Sequence, residues 1–318
     1  MIIEAAALLA GVWGVHHLLH RAILRGLRAP RIAHPPVPAN PGAPSGAWRA
    51  VDIPGPHAKR LFGWMVSPPP DAANRPAPAV LVMHGWGANA ETMWPVVAPL
   101  HAAGFAVLLI DARCHGRSDD EAFTSMPRFA EDIAAGLAWL RTQPDIAADR
   151  LALVGHSVGA AASLLHAAHH DDVRAVVSLS AFAHPQEVMR RFMAEKRVPY
   201  PLLGWYVLHH VQRVIGTSFD AIAPLHTLAR VRCPVLLVHG RDDSTVPFAD
   251  AERLLAVSHQ ALLLAVDGDH DLRDTLTRHA PALVDFLRSA CSAGPSNSPP
   301  MACDAKAASR LVLSHASL

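Results

Sequence analysis

Seven short apolar runs recur in this chain, residues 61–66, 79–83, 105–110, 151–154, 173–179, 235–238 and 261–266, and several of them are apolar at nearly every position. A run of this length with no polar face suits a strand covered on both sides, not one half exposed to water. Helix-length segments lie between the runs. Residues 127–141 place Phe129, Ile133, Leu137 and Leu140 on one stripe, and Ser125 stands before them as a cap. Pro247 sits at the expected first turn of a helix running through Leu254 and Leu255. Residues 280–288 carry Leu283, Phe286 and Leu287 on the stripe of a last helix. Strands alternating with helices predict an α/β fold, with a mostly parallel central sheet flanked by helices.

Composition agrees and removes several classes. With 51% hydrophobic and 17% charged residues the chain has ample material for one large core. Lys and Arg number 28 against 27 Asp and Glu, unlike a globally basic protein, so no nucleic-acid partner is expected. Four cysteines in no paired spacing exclude a disulfide scaffold and a zinc ribbon.

The ends differ from the middle. Residues 1–29 read as an apolar N-terminal helix, 30–47 as a Pro-rich extended linker, 48–289 as the folded domain and 290–318 as a loose tail. No internal repeat is seen. The first segment has an uncharged apolar run only over residues 5–15, with Glu4 before it and Arg21, Arg25, Arg28 and Arg31 after it. A signal peptide would begin with positive charge instead. Two readings stay open. The segment is a membrane anchor whose basic flank keeps the domain on the cytoplasmic side, or an amphipathic helix on the domain or in the membrane interface. His16 and His20 share a helix face, but in an apolar helix rather than around an ion. No metal or cofactor is expected.

The most specific signal is Gly155-His156-Ser157-Val158-Gly159, after the run 151–154 and before an Ala-rich stretch over 160–168. In a strand–turn–helix setting this pattern lifts a serine hydroxyl off the sheet edge and aims a helix N-terminus at it. Ser157 is therefore the candidate nucleophile. A serine needs a base, and the base an orienting acid, in the chain order Ser, Asp, His. Downstream, the run 235–238 ends in His239-Gly240-Arg241-Asp242-Asp243, and the run 261–266 in Asp267-Gly268-Asp269-His270. Both lie just past strand ends, where open α/β sheets place their sites. His270 is the candidate base; the acid is Asp242 or Asp243. His156, His239 and the pairs His169/His170 and His209/His210 lack the order or position and read as solvated or packed. A developing oxyanion needs donors. Val158 N–H, next to the nucleophile, is one candidate. Trp86 N–H, in His84-Gly85-Trp86-Gly87 after the run 79–83, is the other.

Together these residues resemble the α/β-hydrolase superfamily over about residues 48–289. The segment Asp111-Ala112-Arg113-Cys114-His115-Gly116-Arg117-Ser118 is similar to the family's D-x-R-G-H-G-x-S, with Cys114 in place of a glycine. Aligning Val246-Pro247 to the family's H-G-x-x-D-x-x-V-P selects Asp243. The resemblance implies an α/β-hydrolase fold with a helical cap inserted at about 184–232. Val188, Met189, Phe192, Met193, Tyr200, Leu202, Leu203, Trp205 and Tyr206 would roof an apolar pocket there; a plain helix on the core is the other reading. It further implies a serine hydrolase acting on a small-molecule ester through an acyl-enzyme. Peptidase, thioesterase, acyltransferase and non-catalytic binding roles stay open, because fold does not choose among them.

Overall fold

The apolar runs lie side by side in one sheet. The structure, a computed structural model, describes residues 2–34, 47–69, 76–200 and 202–292. Among them, eight strands pair in the order β1-β2-β4-β3-β5-β6-β7-β8. They are β1 (Trp48–Pro54), β2 (Arg60–Val66), β3 (Ala77–Met83), β4 (Ala106–Ile110), β5 (Ile146–His156), β6 (Val176–Leu179), β7 (Val235–Gly240) and β8 (Ala261–Val266). The five pairings from β4 to β8 are parallel; β2 is antiparallel to both β1 and β4. This is the mostly parallel α/β architecture expected. The edge strand β1 was not among the seven runs. Its exposure alternates, with only Val51 and Ile53 buried, so it lacks the continuous apolar signature.

Alternate residues of each strand serve opposite faces. Ala79, Leu81 and Met83 of β3 belong to one core, with Phe129, Ile133 and Leu137 of α3 (Met126–Arg141) and Leu164 of α4 (Val158–His169). Val80 and Val82 belong to the other. There they meet Val97 and Leu100 of α2 (Val97–Ala102) and Leu283 and Leu287 of α10 (Arg273–Ser292). Ser125 caps α3, its Oγ accepting the Arg128 N–H at 3.4 Å. Pro247 stands one residue before α9 (Phe248–Ala256), at the cap position rather than inside the first turn. The last helix starts seven residues before the expected 280 and runs to Ser292, carrying Pro281 within it.

Between β6 and β7 the chain forms α5 (Pro185–Glu195), α6 (Leu202–Ile215), α7 (Phe219–Ile222) and α8 (Pro224–Thr227). The apolar residues expected to roof a pocket divide differently. Met193 is buried with Leu208, Val211, Phe219 and Ile23 of α1 (Ile2–Gly26), and Met189 and Tyr206 pack against that cluster. Phe192, Tyr200, Leu202, Leu203 and Trp205 are exposed. Much of the expected roof is therefore spent on α1 or faces solvent.

No helix among the described residues is long and apolar enough to cross a membrane. Of the expected linker, residues 31–34 are bound to the domain. Arg31 Nη1 donates to the Gly116 and Ser118 carbonyls, and His34 Nε2 meets Asp111 Oδ2 at 3.0 Å. The rest of it, 35–46, and the tail beyond 292 lie outside the described residues.

Candidate active site

A single residue separates β5 from α4, and it is Ser157, with φ 52° and ψ −115°. Few non-glycine residues adopt such a backbone, so the surroundings must impose it. A Cβ on Gly155 would stand 2.4 Å from the Gly159 carbonyl oxygen. One on Gly159 would stand 2.4 Å from the His84 oxygen and 2.6 Å from that of Met83. The two glycines thus let strand β5, helix α4 and the end of β3 touch through bare backbone. The Ser157 N–H donates to the Leu179 carbonyl of β6 at 2.8 Å, closing the turn.

The segments after β7 and β8 bring two more groups to this turn. Ser157 Oγ is 3.1 Å from His270 Nε2, and His270 Nδ1 is 2.8 Å from Asp243 Oδ2. Asp243 is fully buried at its side chain. Its Oδ1 accepts the N–H groups of Thr245, at 2.9 Å, and Val246, at 2.7 Å. His239 shares its Nε2–H between the Val246 carbonyl, 2.9 Å away, and Asp243 Oδ2, 3.3 Å away. Burial opposes the charge on Asp243, but the hydrogen bonds from His239, His270 and Val246 outweigh it. They hold the carboxyl well below the usual carboxylate range. An ionised Asp243 makes Nδ1 of His270 the donor and leaves Nε2 to accept from the serine hydroxyl. Asp242 is exposed and makes no such contact with His270.

The loop after β3 lies against the turn. A Cβ on Gly85 would be 3.2 Å from that of Ser157. Gly87, at φ +70°, donates its N–H to His115 Nε2 at 3.1 Å, while His115 Nδ1 donates to the Arg113 carbonyl. His84 Nε2 accepts the Ala112 N–H at 3.0 Å. Burial pushes both rings down, His115 to about 3, so each is neutral and able to accept. Neither Trp86 N–H nor Val158 N–H has a partner among the described residues. Cys114 takes the left-handed conformation, φ 65°, that a glycine would adopt freely, and Glu121 N–H donates to its Sγ at 3.3 Å.

Sequence reasoning passed over the neighbouring histidines. His156, read as packed or solvated, donates from Nε2 to the His270 carbonyl at 2.7 Å; burial holds it neutral, pushed down to about 4. His239 does the same service for Asp243. His84 and His115 brace the Trp86 loop. Each lies inside or beside a motif already singled out, which is the signal that could have found them.

One group of metal-ligand chemistry gathers among the described residues: His184, Asp220 and His226. Its His184 is already committed. Nδ1 accepts the Gln186 N–H and caps α5, while Nε2 donates to Asp220 Oδ1 at 2.9 Å. A neutral ring so engaged has no lone pair left for a metal. Separately, an open cleft of about 1140 Å³ runs beside the His270 loop, between Glu91 and Trp94 on one wall and Asp271 and Asp274 on the other; Ser157 and His270 do not line it.

Comparison with known proteins places this geometry. The family model described as "Serine aminopeptidase, S33" matches residues 74–224. The uncharacterized protein Rv2307c of Mycobacterium tuberculosis H37Rv is 31% identical, over 70% of this chain and 71% of its own length. The uncharacterized protein YfhR of Escherichia coli K12 is 28% identical over 73% of this chain and 77% of its own. Among solved structures, the Pyrococcus furiosus esterase Pf2001 superposes with a TM-score of 0.64 at 21% identity, covering 83% of this chain and 99% of that one. A parallel sheet of this order, a serine on a glycine-flanked turn and these relatives have one common explanation: the chain is a member of the α/β-hydrolase superfamily and a hydrolase by kinship.

Proposed function

We propose that the protein is a serine hydrolase that cleaves carboxylic esters through an acyl-enzyme. The observation that carries this reading is the unbroken relay from Asp243 Oδ2 through His270 to Ser157 Oγ, at 2.8 and 3.1 Å. In it, His270 Nε2 takes the hydroxyl proton as Ser157 Oγ bonds to the ester carbonyl carbon. The carbonyl oxygen becomes an oxyanion and receives the Trp86 and Val158 N–H groups. The imidazolium, steadied by ionised Asp243, returns its proton to the leaving alcohol, and the tetrahedral adduct collapses to an acyl-serine. Water, activated by the same histidine, then adds to the acyl carbon and frees the acid. Every group this cycle needs is a residue of the chain, and the esterase Pf2001 shares its fold.

A second reading, cleavage of a peptide amide, is favoured by the family model's description. The same relay would protonate an amine leaving group. Turnover of p-nitrophenyl esters of graded acyl length, beside aminoacyl p-nitroanilides, separates the two. The proposal expects ester turnover that falls at least about 10⁴-fold in Ser157→Ala. Undiminished turnover in that variant would overturn it, and turnover of the anilides alone would move the second reading to the front.

A further inference from the structure

We infer that α1 and α6 together form a membrane-docking face that enters one leaflet of an anionic bilayer without crossing it. The inference goes beyond ester hydrolysis and rests on neither the relay nor the substrate class.

The two halves of α1 differ. The later half is held by the cap: Ile23 is buried with Met193, Leu208, Val211 and Phe219, His20 Nδ1 meets His210 Nε2 at 2.8 Å, and Tyr206 Oη meets His16 Nδ1 at 3.0 Å. Ahead of these contacts and between them, apolar side chains remain outside. Ile3, Leu9, Trp13, Val15 and Leu18 are 59–85% exposed. At 100° per residue these five side chains spread over about two thirds of the circumference, wider than one stripe, and leave the sector in which Ile23 meets the cap. A protein groove accepts one apolar stripe. A helix apolar over so wide an arc exceeds what one groove covers and matches lipid, which meets every side the cap leaves free.

The cap adds to the same surface. Leu202, Leu203 and Trp205 of α6, beside the residues that meet α1, are exposed as well. Trp13 and Trp205 each stack on a histidine one turn further on, His17 and His209, with ring centroids 5.4 Å apart in both pairs. Indole rings backed by imidazoles suit the level of the headgroups.

Charge names the lipid. Residues 1–34 and 184–216 hold nine Lys and Arg against three Asp and Glu, in a chain whose net charge is only +1. Arg21, Arg25, Arg190, Lys196, Arg197 and Arg213 of these segments are exposed, and Arg190 and Lys196 lie over the exposed rings of Tyr200 and Phe192. A basic border around an apolar face is complementary to an anionic leaflet. Residues 2–15 as a helix span about 20 Å, against a hydrocarbon core of about 30 Å, so the segment reaches into the bilayer and stops.

This surface connects to the site. Beyond α1, Pro30 packs at Gly87, its Cγ 3.3 Å from where a Cβ would stand there. The Ile32 carbonyl accepts from Asn89 Nδ2 at 3.1 Å. Ile32 and Trp86 are both exposed. The chain that leaves the docking helix is therefore tied to the Trp86 loop.

The test is co-sedimentation of the full chain with vesicles of phosphatidylcholine alone and with vesicles containing about a third phosphatidylserine. The wild type should bind the anionic vesicles at least about tenfold more strongly, and less so at high salt. Trp13→Ser combined with Trp205→Ser should remove that binding while hydrolysis of a short soluble ester stays unchanged, which shows the fold intact. Arg21→Glu with Arg25→Glu should remove only the preference for anionic lipid. Equal sedimentation of wild type and the tryptophan variant would overturn the inference. So would a dimer in light scattering that binds no vesicle and separates in that variant, since a second copy would then be the occupant.

Discussion

At the elbow, a Cβ on Gly159 would meet two carbonyl oxygens within 2.6 Å; along α1, one on Gly14 would meet nothing within 4 Å. The two regions are built in opposite ways. The elbow is backbone against backbone, with buried N–H donors and neutral histidines fixing each loop. The α1–α6 face is held by a few side-chain contacts at one end and leaves its apolar residues outside. Geometry fine enough to aim a hydroxyl at an imidazole is kept where nothing can shift. Apolar surface is kept where the chain has a use for it in another medium. Mutations should therefore act on chemistry and folding at the first region, and on location at the second.

The sharpest break is between adjacent aspartates. Asp243→Asn should lower ester kcat by about 10⁴-fold, because the amide favours the wrong tautomer of His270. Asp242→Asn, one residue away and exposed, should change it less than about threefold. Steady-state kinetics on both decides which carboxylate serves the relay.

Next comes the glycine pair. Gly159→Ala should cost about 3 kcal/mol or more in chemical denaturation, since the added Cβ would meet the backbone oxygens of His84 and Met83, which cannot give way. Gly14→Ala should be neutral or stabilising by up to about 1 kcal/mol, as alanine favours the helix. Similar losses at both positions would erase the contrast.

A smaller effect comes from acid. His115 and His156 are held at about 3 and about 4 in the fold, below the usual 6.5 of an unfolded histidine. Between those values the unfolded chain binds the extra protons, so stability falls as pH falls from about 6.5 towards 4. Each group contributes up to about 1.4 kcal/mol per pH unit. Replacing His156 with Gln should flatten that slope by up to one proton's worth in urea melts at stepped pH. An unchanged slope would show that His156 is not held neutral. The smallest effect is expected of Cys114→Gly, which relieves the left-handed backbone but loses the Sγ contact; the net change should stay within about 1 kcal/mol.

Much of this was legible in the sequence because the signals are local. Continuous apolar runs named the strands, and each candidate catalytic group sits a few residues past one of them. Val246 and Pro247 pointed to Asp243 through the resemblance to the family's pattern, and the structure adds that Thr245 and Val246 N–H groups meet its Oδ1. What escaped depends on contacts distant in sequence. The edge strand β1 buries only every second residue near its end, so no run marks it. The packing of Ile23 against Met193 and Leu208 joins segments far apart in the chain, and no spacing within either one announces it. The apolar residues of the cap were visible; the side on which they would be used was not.

The most direct measurement is labelling with a fluorophosphonate probe, followed by mass mapping of the modified residue. The triad reading predicts one covalent adduct on Ser157, abolished in Ser157→Ala and strongly slowed in His270→Ala. A folded wild-type protein that takes no label, or takes it elsewhere than Ser157, would contradict it.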